Sequence, residues 1–295
     1  MSKEHPPHHI PVLLESVMRV LNPALGESYL DLTAGFGGHA QPILEKTGNY
    51  TDSVLVDRDD YALGHLSELS DKGVRLMHSD FLSAARQLGE EGKTFGLILI
   101  DLGVSSPQLD QGERGFSFKN NGPLDMRMDR RQPVTAEDIV NTSSVKELAR
   151  IIHEYGEEPY MQALRLAEVI ADNRPLHDTQ TLASVIATNH RGRWKRTHPA
   201  TRTFQALRIA VNDELGQIEA LLPLLPRLLK SGGRVGVICF HSLEDRPVKR
   251  FMKEQVASGL EAELDILTKK PISGATEDVH NPRSRSAQLR VAVKK

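Results

Sequence analysis

The sequence has few of the features that mark membrane, secreted or disulfide-stabilised proteins. It contains one cysteine, Cys239, among 295 residues, so an intramolecular disulfide is excluded. It has no run of about 18 apolar residues, and its start lacks the apolar stretch of a signal peptide. Aromatic residues make up only 5%, yet a hydrophobic content of 39% allows a sizeable core. We therefore expect a cytoplasmic globular protein that makes no membrane contact.

Acidic residues are missing from two stretches of an otherwise mildly acidic chain, whose net charge is −2. Residues 179–212 contain no acid and six bases, and the tail after Asp278 contains no acid and five bases. Residues 111–212 hold 15 Lys and Arg against 12 Asp and Glu, whereas the remainder holds 22 against 27. Basic runs are usually solvated surface, but two of them in such a chain favour a polyanionic partner.

The first third of the sequence alternates strand-like and helical stretches, which predicts a parallel sheet with crossover helices. The strand-like runs are SYLDLTA (28–34), SVLVD (53–57), RLMHS (75–79) and FGLILID (95–101). Strand patterns return in GGRVGVICF (232–240), LDILTK (264–269) and QLRVAVK (288–294), of which the last two are predicted to complete the sheet as an antiparallel pair. A helix is predicted from about Asp245 to Val256.

The middle of the chain has a different pattern. Residues 107–133 are polar and glycine-rich without a clear period, which predicts a long binding loop or lid. Residues 135–190 show apolar spacings of three and four, typical of helices. The predicted architecture is an α/β domain of residues 1–110 and 213–295, interrupted by a mainly helical domain of residues 111–212.

A glycine-rich turn follows the first predicted strand, in the segment YLDLTAGFGGHA (29–40). Read loosely, it is the G-x-G-x-x-A pattern of dinucleotide-binding proteins. Glycine lets a backbone approach a ligand closely and adopt positive φ. This suits any nucleotide-like cofactor, and it also suits a plain strand-to-helix connection, so the turn alone does not decide the ligand.

Acidic residues near the turn favour a cationic cofactor. Asp31 lies in the first predicted strand, Asp57 ends the second and Asp101 ends the fourth, and open α/β sheets bind ligands at this edge. Asp57 lies 20 residues after Gly37, where an acid could bind the ribose hydroxyls of NAD or of S-adenosylmethionine equally. Asp31 and Asp101 would repel a pyrophosphate, by about 4 kcal/mol per pair at about 4 Å and an effective dielectric near 20. They would attract the sulfonium and ammonium of S-adenosylmethionine (SAM), which is therefore favoured over NAD; capping or water binding by these acids stays an alternative.

The segment after Asp101, LGVSSPQLD, indicates how a methyl acceptor could be held. Cys239 lies in an apolar strand pattern and is interpreted as a core residue, so transfer to oxygen or nitrogen is favoured over a covalent cysteine mechanism. The Asp101 carboxylate and the Ser105 hydroxyl could accept the N–H groups of a base amine and so direct its lone pair at the methyl group. Positioning and electrostatics would supply most of the acceleration.

Short sequence strings along the whole chain resemble those of the MraW/RsmH family of bacterial methyltransferases. They are HIPVLLE (9–15), GGH (37–39), DLGVSS (101–106), QLD (108–110), RGFSF (114–118), GPLDMRM (122–128), YGEE (155–158), HPATRTFQALRI (198–209), VNDEL (211–215), FHSLEDR (240–246) and NPRSRSA (281–287). The resemblance implies a class I SAM-dependent methyltransferase fold with an inserted helical substrate domain. It also implies transfer of a methyl group to the N4 amine of a cytidine in 16S ribosomal RNA of the small ribosomal subunit.

The resemblance also implies a set of cofactor contacts. At matching positions they are Gly37, Gly38, His39, Asp57, Phe81, Asp101 and Gln108, to which the charge argument adds Asp31. Phe81 could stack on adenine or could be a core residue. The Asn/Ser/Asp-Pro-Pro-aromatic motif of many amino-methylating enzymes is absent and SSPQ occupies its place, so Asp101 and Ser105 are catalytic candidates from their chemistry.

Substrate contacts are predicted in the basic part of the insert. Arg and Lys would bind phosphates, and a lone tryptophan could stack on an unpaired base. The candidates are Arg193, Trp194, Arg196, Arg202, Arg208 and Asn212. Arg208 and Asn212 share a helix face and could instead bind each other. Ser242 and Asp245 are interpreted as a helix cap, with His241 or Glu244 shaping a base pocket as the alternative.

Several questions stay open on sequence alone. No metal site is predicted, because His5 and His8 lie in a proline-rich start without further ligands. A homodimer is neither required nor excluded. The rival functions are a nicotinamide-dependent oxidoreductase, a non-catalytic RNA-binding or assembly factor, and a methyltransferase for protein or small molecules.

Overall fold

The computed structural model describes residues 11–190 and 198–295 and divides into two compact units. The first unit comprises Met1–Gly103 and Leu215–Lys295, and the second comprises Val104–Glu214. The second unit begins seven residues before the predicted insert and ends two residues after it. Among the described helices, none is both long and apolar enough to cross a bilayer.

The described chain contains eight strands and fifteen α-helices, with four short 3₁₀ segments between them. The strands are β1 (Tyr29–Asp31), β2 (Val54–Asp57), β3 (Arg75–His78), β4 (Phe95–Asp101), β5 (Leu229–Cys239), β6 (Leu264–Ile266), β7 (Ile272–Ser273) and β8 (Gln288–Lys294). The helices are α1 (Leu14–Leu21), α2 (Ala40–Thr47), α3 (Asp60–Gly64), α4 (Ser67–Asp71), α5 (Phe81–Glu90), α6 (Ser106–Asp110), α7 (Ala136–Thr142), α8 (Val145–Gly156), α9 (Tyr160–Asp172), α10 (Thr179–Thr188), α11 (Ala200–Asn212), α12 (Glu214–Leu221), α13 (Leu225–Leu228), α14 (Ser242–Ala257) and α15 (Gly274–Glu277).

All eight strands form one sheet in the order β3-β2-β1-β4-β5-β8-β6, with β7 also paired to β8. Strands β1 to β5 are parallel, whereas β8 runs antiparallel to β5 and to β6. The predicted parallel sheet and its antiparallel completion are therefore confirmed. Strand β7 was not predicted, because two residues are too few for an alternating pattern to be seen.

The two faces of the sheet bury separate apolar clusters, as expected of a sheet covered by helices on both sides. Along β4, for example, Ile98 and Ile100 belong to one cluster, whereas Leu97 and Leu99 belong to the other. The first cluster contains apolar residues of α5, α12, α13 and α14, and the second contains those of α1, α2 and α4. This three-layer arrangement explains why the central strands read as continuous apolar runs.

The second unit is built from α6 to α11 around a core of its own, and the long central loop belongs to that core. Leu124 and Met126 of the loop are fully buried. The Arg114 guanidinium donates to the carbonyl oxygens of Arg127 and Met128, both at 3.2 Å. The expectation of a lid without regular structure is therefore corrected: α6 and a 3₁₀ turn begin the segment, and its irregularly spaced apolar residues anchor it.

Helix α14 begins at Ser242, three residues before the predicted start. Its N-cap is His241, which forms a capping box with Glu244. The predicted box of Ser242 and Asp245 was therefore placed one residue too late. Asp245 instead accepts from the Arg290 guanidinium at 2.6 and 2.9 Å, which ties the helix to β8.

Candidate active site at the carboxyl edge of the sheet

Strand register places three acidic residues around the carboxyl end of β1. Asp31 pairs with Leu55 of β2 on one side and with Leu99 of β4 on the other. Asp57 and Asp101 lie two residues beyond those partners, toward the ligand-binding edge. The three carboxylates predicted from sequence to share this edge are therefore brought together by the central strands of the sheet.

Alternate residues of the first strand support Asp31. The Tyr29 hydroxyl donates to Asp31 Oδ2 at 2.7 Å, and the Thr33 amide donates to Asp31 Oδ1 at 3.0 Å. Thr33 Oγ1 accepts from the Asp101 amide at 2.6 Å and so connects two of the acids. Sequence reasoning missed Tyr29 and Thr33, although a period of two from Asp31 places both on its face of the strand.

Asp57 holds the glycine turn in place. Its Oδ2 accepts from the Gly35 amide at 2.7 Å, and its Oδ1 accepts from the Asp59 amide at 2.8 Å. Gly35 and Gly37 have φ values of +52° and +80°, in the region that favours glycine. A Cβ at Gly37 would approach Leu66 Cδ2 to 2.8 Å, whereas one at Gly35 would meet only a carbonyl oxygen at 3.9 Å. The turn thus packs tightly at Gly37 and is open at Gly35.

Burial and mutual repulsion raise the pKa of each acid at this edge. Burial raises the pKa of Asp31 to about 6, against hydrogen bonds that lower it and with repulsion from Asp57. Burial likewise raises the pKa of Asp57. The pKa of Asp101 is raised well above its usual value by burial and then by Asp31 and Glu244. A bound cation would relieve this repulsion and return the carboxylates to their ionised form.

Asp101 carries a buried acceptor atom that is not satisfied by the described residues. Its Oδ1 is inaccessible to solvent and receives no hydrogen bond from the described part of the chain. Its Oδ2 lies 3.7 Å from Nδ1 of His39, whose Nε2 is 2.9 Å from the Val12 carbonyl oxygen. Buried acceptors are normally paired, so Asp101 is suited to an external donor or cation.

These residues fit SAM and suit a diphosphate poorly. The acids match the positive charges of SAM, and the open backbone at Gly35 leaves room for a ligand. Asp57 retains lone pairs that could accept from ribose hydroxyls. Gly37, Gly38 and His39 lie in or directly after the same turn. Gly38 also has a packing role, because a Cβ there would approach Pro11 Cγ to 2.7 Å.

Two predicted cofactor contacts have structural roles in the described chain. Phe81 is 7% exposed, belongs to the core, and has the Arg58 guanidinium carbon 5.5 Å from its ring centroid. The structure therefore favours the core interpretation over adenine stacking. Gln108 is 6% exposed, and its Oε1 accepts from the Ser105 amide at 3.0 Å. Ser105 Oγ accepts from the Gln108 amide at 3.4 Å, so the two residues form the capping box of α6.

Two predicted RNA contacts, Asn212 and Arg208, have partners inside the second unit. Asn212 is completely buried: its Oδ1 accepts from the Met128 amide at 2.9 Å, and its Nδ2 donates to the Met126 carbonyl at 2.8 Å. It therefore anchors the central loop and presents no surface to RNA. The Arg208 guanidinium donates to both carboxylate oxygens of Glu214, at 2.8 and 2.9 Å, with its side chain 15% exposed.

Of the four remaining predicted RNA contacts, the structure describes Arg202. Arg202 has a side chain 57% exposed and one ion pair, with Glu158 at 3.3 Å. Arg193, Trp194 and Arg196 lie outside the described residues. Arg202 is therefore a cation on the surface of the second unit, and the role of all four in binding stays a prediction.

Glu244 adds a fourth acid to this edge. It is fully buried, and its Oε2 accepts from the Phe240 amide at 2.6 Å. Its Oε1 lies 3.0 Å from Nε2 of His241. The geometry supports the capping interpretation of His241 and Glu244, while the repulsion between Glu244 and Asp101 adds to the electrostatics of the site.

The fold and its acidic edge define a class I SAM-dependent methyltransferase. The strand order differs from the all-parallel dinucleotide-binding order 3-2-1-4-5-6 by an antiparallel strand inserted beside β5. The cluster of acids with raised pKa values around the glycine turn suits a cationic cofactor.

Comparisons with known proteins identify the family. The sequence profile of the MraW methylase family matches residues 7–295. A ribosomal RNA small subunit methyltransferase H from Cyanothece sp. is 48% identical over 286 residues, covering 96% of this chain and 94% of the relative. Proteins of the same name from Heliobacterium mobile and Synechocystis sp. are 46% and 45% identical, covering 97% of this chain and 99% and 93% of the relatives. The chain belongs to the MraW methylase family, whose methyl donor is SAM.

Proposed function

We propose that this protein transfers a methyl group from SAM to the exocyclic N4 amine of a cytidine in 16S ribosomal RNA of the small ribosomal subunit. The observation that carries the proposal is the set of buried and partly buried acids around the glycine turn, in a chain whose relatives are named for small-subunit ribosomal RNA. When bound, SAM supplies an electrophilic methyl carbon on a sulfonium.

The glycine turn and the three acids would hold the cofactor. Asp57 would accept from the ribose hydroxyls while it continues to hold the Gly35 amide. Asp31, buried beneath the edge, would act through its field on the cationic end of the ligand. Gly37, Gly38 and His39 would shape the turn, and Gln108 and Phe81 would support neighbouring segments through the contacts described above.

Asp101 would orient the acceptor amine. A cytosine amine is a weak nucleophile because its lone pair is delocalised into the ring. A carboxylate that accepts an amine N–H holds that lone pair toward the methyl carbon, which lowers the entropic cost of reaction. As the new N–C bond forms and the C–S bond breaks, the amine nitrogen becomes acidic and releases a proton.

Asp101 is also suited to take up that proton. Its raised pKa makes it a stronger base than an ordinary carboxylate once it is ionised. Ser105 follows four residues later and would present its hydroxyl to the same amine while its oxygen caps α6. The second unit, which carries Arg202 and the predicted contacts Arg193, Trp194 and Arg196, would bind the RNA strand.

The proposal is tested by methyl transfer to small ribosomal subunits purified from cells that lack this gene. Labelled SAM is supplied, the RNA is digested, and the nucleosides are identified by mass spectrometry. We expect labelled N4-methylcytidine with the wild-type protein. Asp101→Asn should lower kcat at least a hundredfold, because the neutral amide accepts no proton.

A matched control is Asp71→Asn, which changes the same charge at an exposed position at the end of α4. It should retain the wild-type rate. If wild-type protein binds SAM but labels another atom or no RNA, the proposal is wrong and a protein or small-molecule acceptor is favoured instead.

A further inference from the structure

One face of α14 carries four exposed bases at helical spacing. Arg246, Lys249, Arg250 and Lys253 are separated by three, one and three residues, so they form a single stripe along the solvent side of the helix. We name them the α14 basic stripe. The apolar side of the same helix, including Val248 and Met252, is buried against the sheet.

We propose that the α14 basic stripe binds the phosphate backbone of the RNA substrate as a second contact surface, separate from the insert. This inference rests on the proposed function, because it assigns a binding surface for the same substrate. It places RNA recognition on the methyltransferase unit as well as on the second unit.

The stripe is electrostatically unfavourable in the isolated protein. Among Lys249, Arg250 and Lys253, two like-charge pairs lie at i,i+3 or i,i+4, a spacing at which like charges destabilise a helix. Helix α8 shows the stabilising alternative, because its Arg150 lies between Glu147 and Glu154 and contacts both. In the stripe, Arg250 contacts Glu219 at 2.8 Å, but both side chains are more than half exposed, so the pair compensates little.

The positive charge on this face of α14 contrasts with the net charge of the whole chain. The protein has a net charge of −2, so an excess of cations on one helix face is local and not a general property of the surface. Of the acids of α14, Glu244 is buried and Asp245 is paired with Arg290. The third acid of the helix, Glu254, is exposed.

The position of the stripe connects it to the site of reaction. Helix α14 begins directly after β5, whose Ile238 is paired with Asp101 at the carboxyl edge. Arg246 therefore lies just over one helical turn from the start of α14 at that edge, and the stripe extends away from it by about 10 Å at 1.5 Å per residue. This length matches two to three successive phosphates of a strand, for which Lys and Arg are the usual partners.

The test compares two sets of four neutralised bases in the full-length protein. The stripe variant is R246Q/K249Q/R250Q/K253Q, and a double variant, K249Q/K253Q, is included in case the fourfold change disturbs folding. The control variant, K46Q/R86Q/K93Q/K230Q, removes the same charge at exposed positions away from α14. Methyl transfer to small subunits is measured from about 50 to 200 mM salt, together with SAM affinity and melting temperature.

We expect the stripe variant to raise KM for subunits at least tenfold, with kcat and SAM affinity within about twofold of wild type. The slope of log(kcat/KM) against log salt should fall by about 2 to 3, and by about 1 to 2 in the double variant. The control variant should match wild type in both. Equal KM and slope in stripe and control variants would overturn the inference while leaving the proposed function intact.

Two further outcomes also count against the inference. If the stripe variants lose binding to anionic phospholipid vesicles but keep the wild-type salt slope on subunits, the stripe is a lipid-binding surface. If they lose kcat with unchanged KM, the stripe supports the reacting residues and does not bind phosphate. If the wild-type protein itself transfers no methyl group to subunits, it is the proposed function that has failed, and filter binding of 16S RNA then tests the stripe alone.

Discussion

At the scale of single residues, the candidate site combines groups that oppose folding in the absence of a ligand. Asp31, Asp57 and Asp101 are brought together by adjacent strands, and each has a raised pKa because burial and neighbouring acids disfavour its charge. Strain of this kind is common at functional sites, where a ligand restores the balance. A cationic cofactor is the ligand that would do so here.

Replacing Asp57 by alanine should weaken SAM binding more than tenfold. The substitution removes the acceptor for ribose hydroxyls and releases the Gly35 amide from its 2.7 Å hydrogen bond. The measurement is isothermal titration of SAM into the purified variant, with circular dichroism to confirm the fold. Asp71→Ala, at an exposed site, should leave the affinity unchanged, and an unchanged affinity in Asp57→Ala would remove this residue from the cofactor site.

SAM affinity should fall as the pH is lowered through about 6. The pKa of Asp31 in the cofactor-free protein is raised to about 6, and the cation binds the ionised form. Protonation below that pH therefore competes with SAM, and binding near pH 6 should release a proton. Because the folded-state pKa lies above the unfolded one, the same group makes the cofactor-free protein less stable as pH rises from about 4 through 6.

Titrations in buffers of different ionisation enthalpy would measure that proton release. We expect affinity at pH 5 to be about tenfold lower than at pH 7.5, with a smaller pH dependence in Asp31→Asn. The neutral variant should also bind SAM more weakly at pH 7.5 without loss of melting temperature. An affinity that does not change between pH 5 and 7.5 would show that the Asp31 carboxylate does not interact with bound SAM.

At the scale of elements, the second unit depends on polar anchors inside an irregular segment. The central loop buries Leu124 and Met126 outside any helix or strand, so its backbone groups need partners elsewhere in the unit, and the Met126 amide finds one in the Arg114 carbonyl at 3.1 Å. Asn212, at the end of α11, supplies partners to Met126 and Met128. One buried side-chain amide thus anchors the loop to α11, a helix that is distant from it in sequence.

Asn212→Ala should destabilise the second unit by about 3 kcal/mol, because it leaves a buried amide and a buried carbonyl unpaired at about 1–3 kcal/mol each. Urea unfolding followed by circular dichroism would measure the loss. Asn173→Ala, which removes an exposed side chain whose Nδ2 donates to the Val169 carbonyl of the preceding helix, should cost less than about 1 kcal/mol. Equal effects of the two changes would mean that the loop is not held by Asn212.

At the scale of the whole molecule, two units with separate cores predict unfolding that is not two-state. Ile98 of β4 and Ile152 of α8 are both fully buried, one in each unit. Truncating either to alanine should cost about 2–5 kcal/mol in its own unit. In differential scanning calorimetry, each variant should therefore shift a different part of the unfolding profile to lower temperature.

Saturating SAM adds a second criterion to the same experiment. A ligand that binds the folded first unit raises the stability of that unit by mass action. We expect SAM to stabilise the transition that Ile98→Ala lowers, and to bind Ile152→Ala within about twofold of wild type. A single transition lowered equally by both substitutions would contradict the division into two energetic units.

Much of the fold could be predicted because local pattern and tertiary position agree. The apolar runs that end in Asp57 and Asp101 are buried strands with acids at their carboxyl ends, which follows from chain direction in a parallel sheet. The basic tail shows the limit of such reasoning. Arg290 and Lys294, which the sequence presents as free cations for a polyanion, instead donate to Asp245 and to the Pro226 carbonyl.

The amino-acid sequence was sufficient for the α/β class, the interrupted domain, the acidic cofactor edge and the family resemblance, because these depend on periodicity, residue chemistry and order along the chain. Only the folded structure decided which polar residues have partners within the protein and which remain available to a ligand. Asn212 and Arg208 read as RNA contacts but are used inside the second unit, and Tyr29 and Thr33 were unremarked but support Asp31. The reason is physical: a hydrogen-bond partner is chosen by proximity in space, and residues 84 positions apart, such as Met128 and Asn212, become neighbours only when the chain has folded.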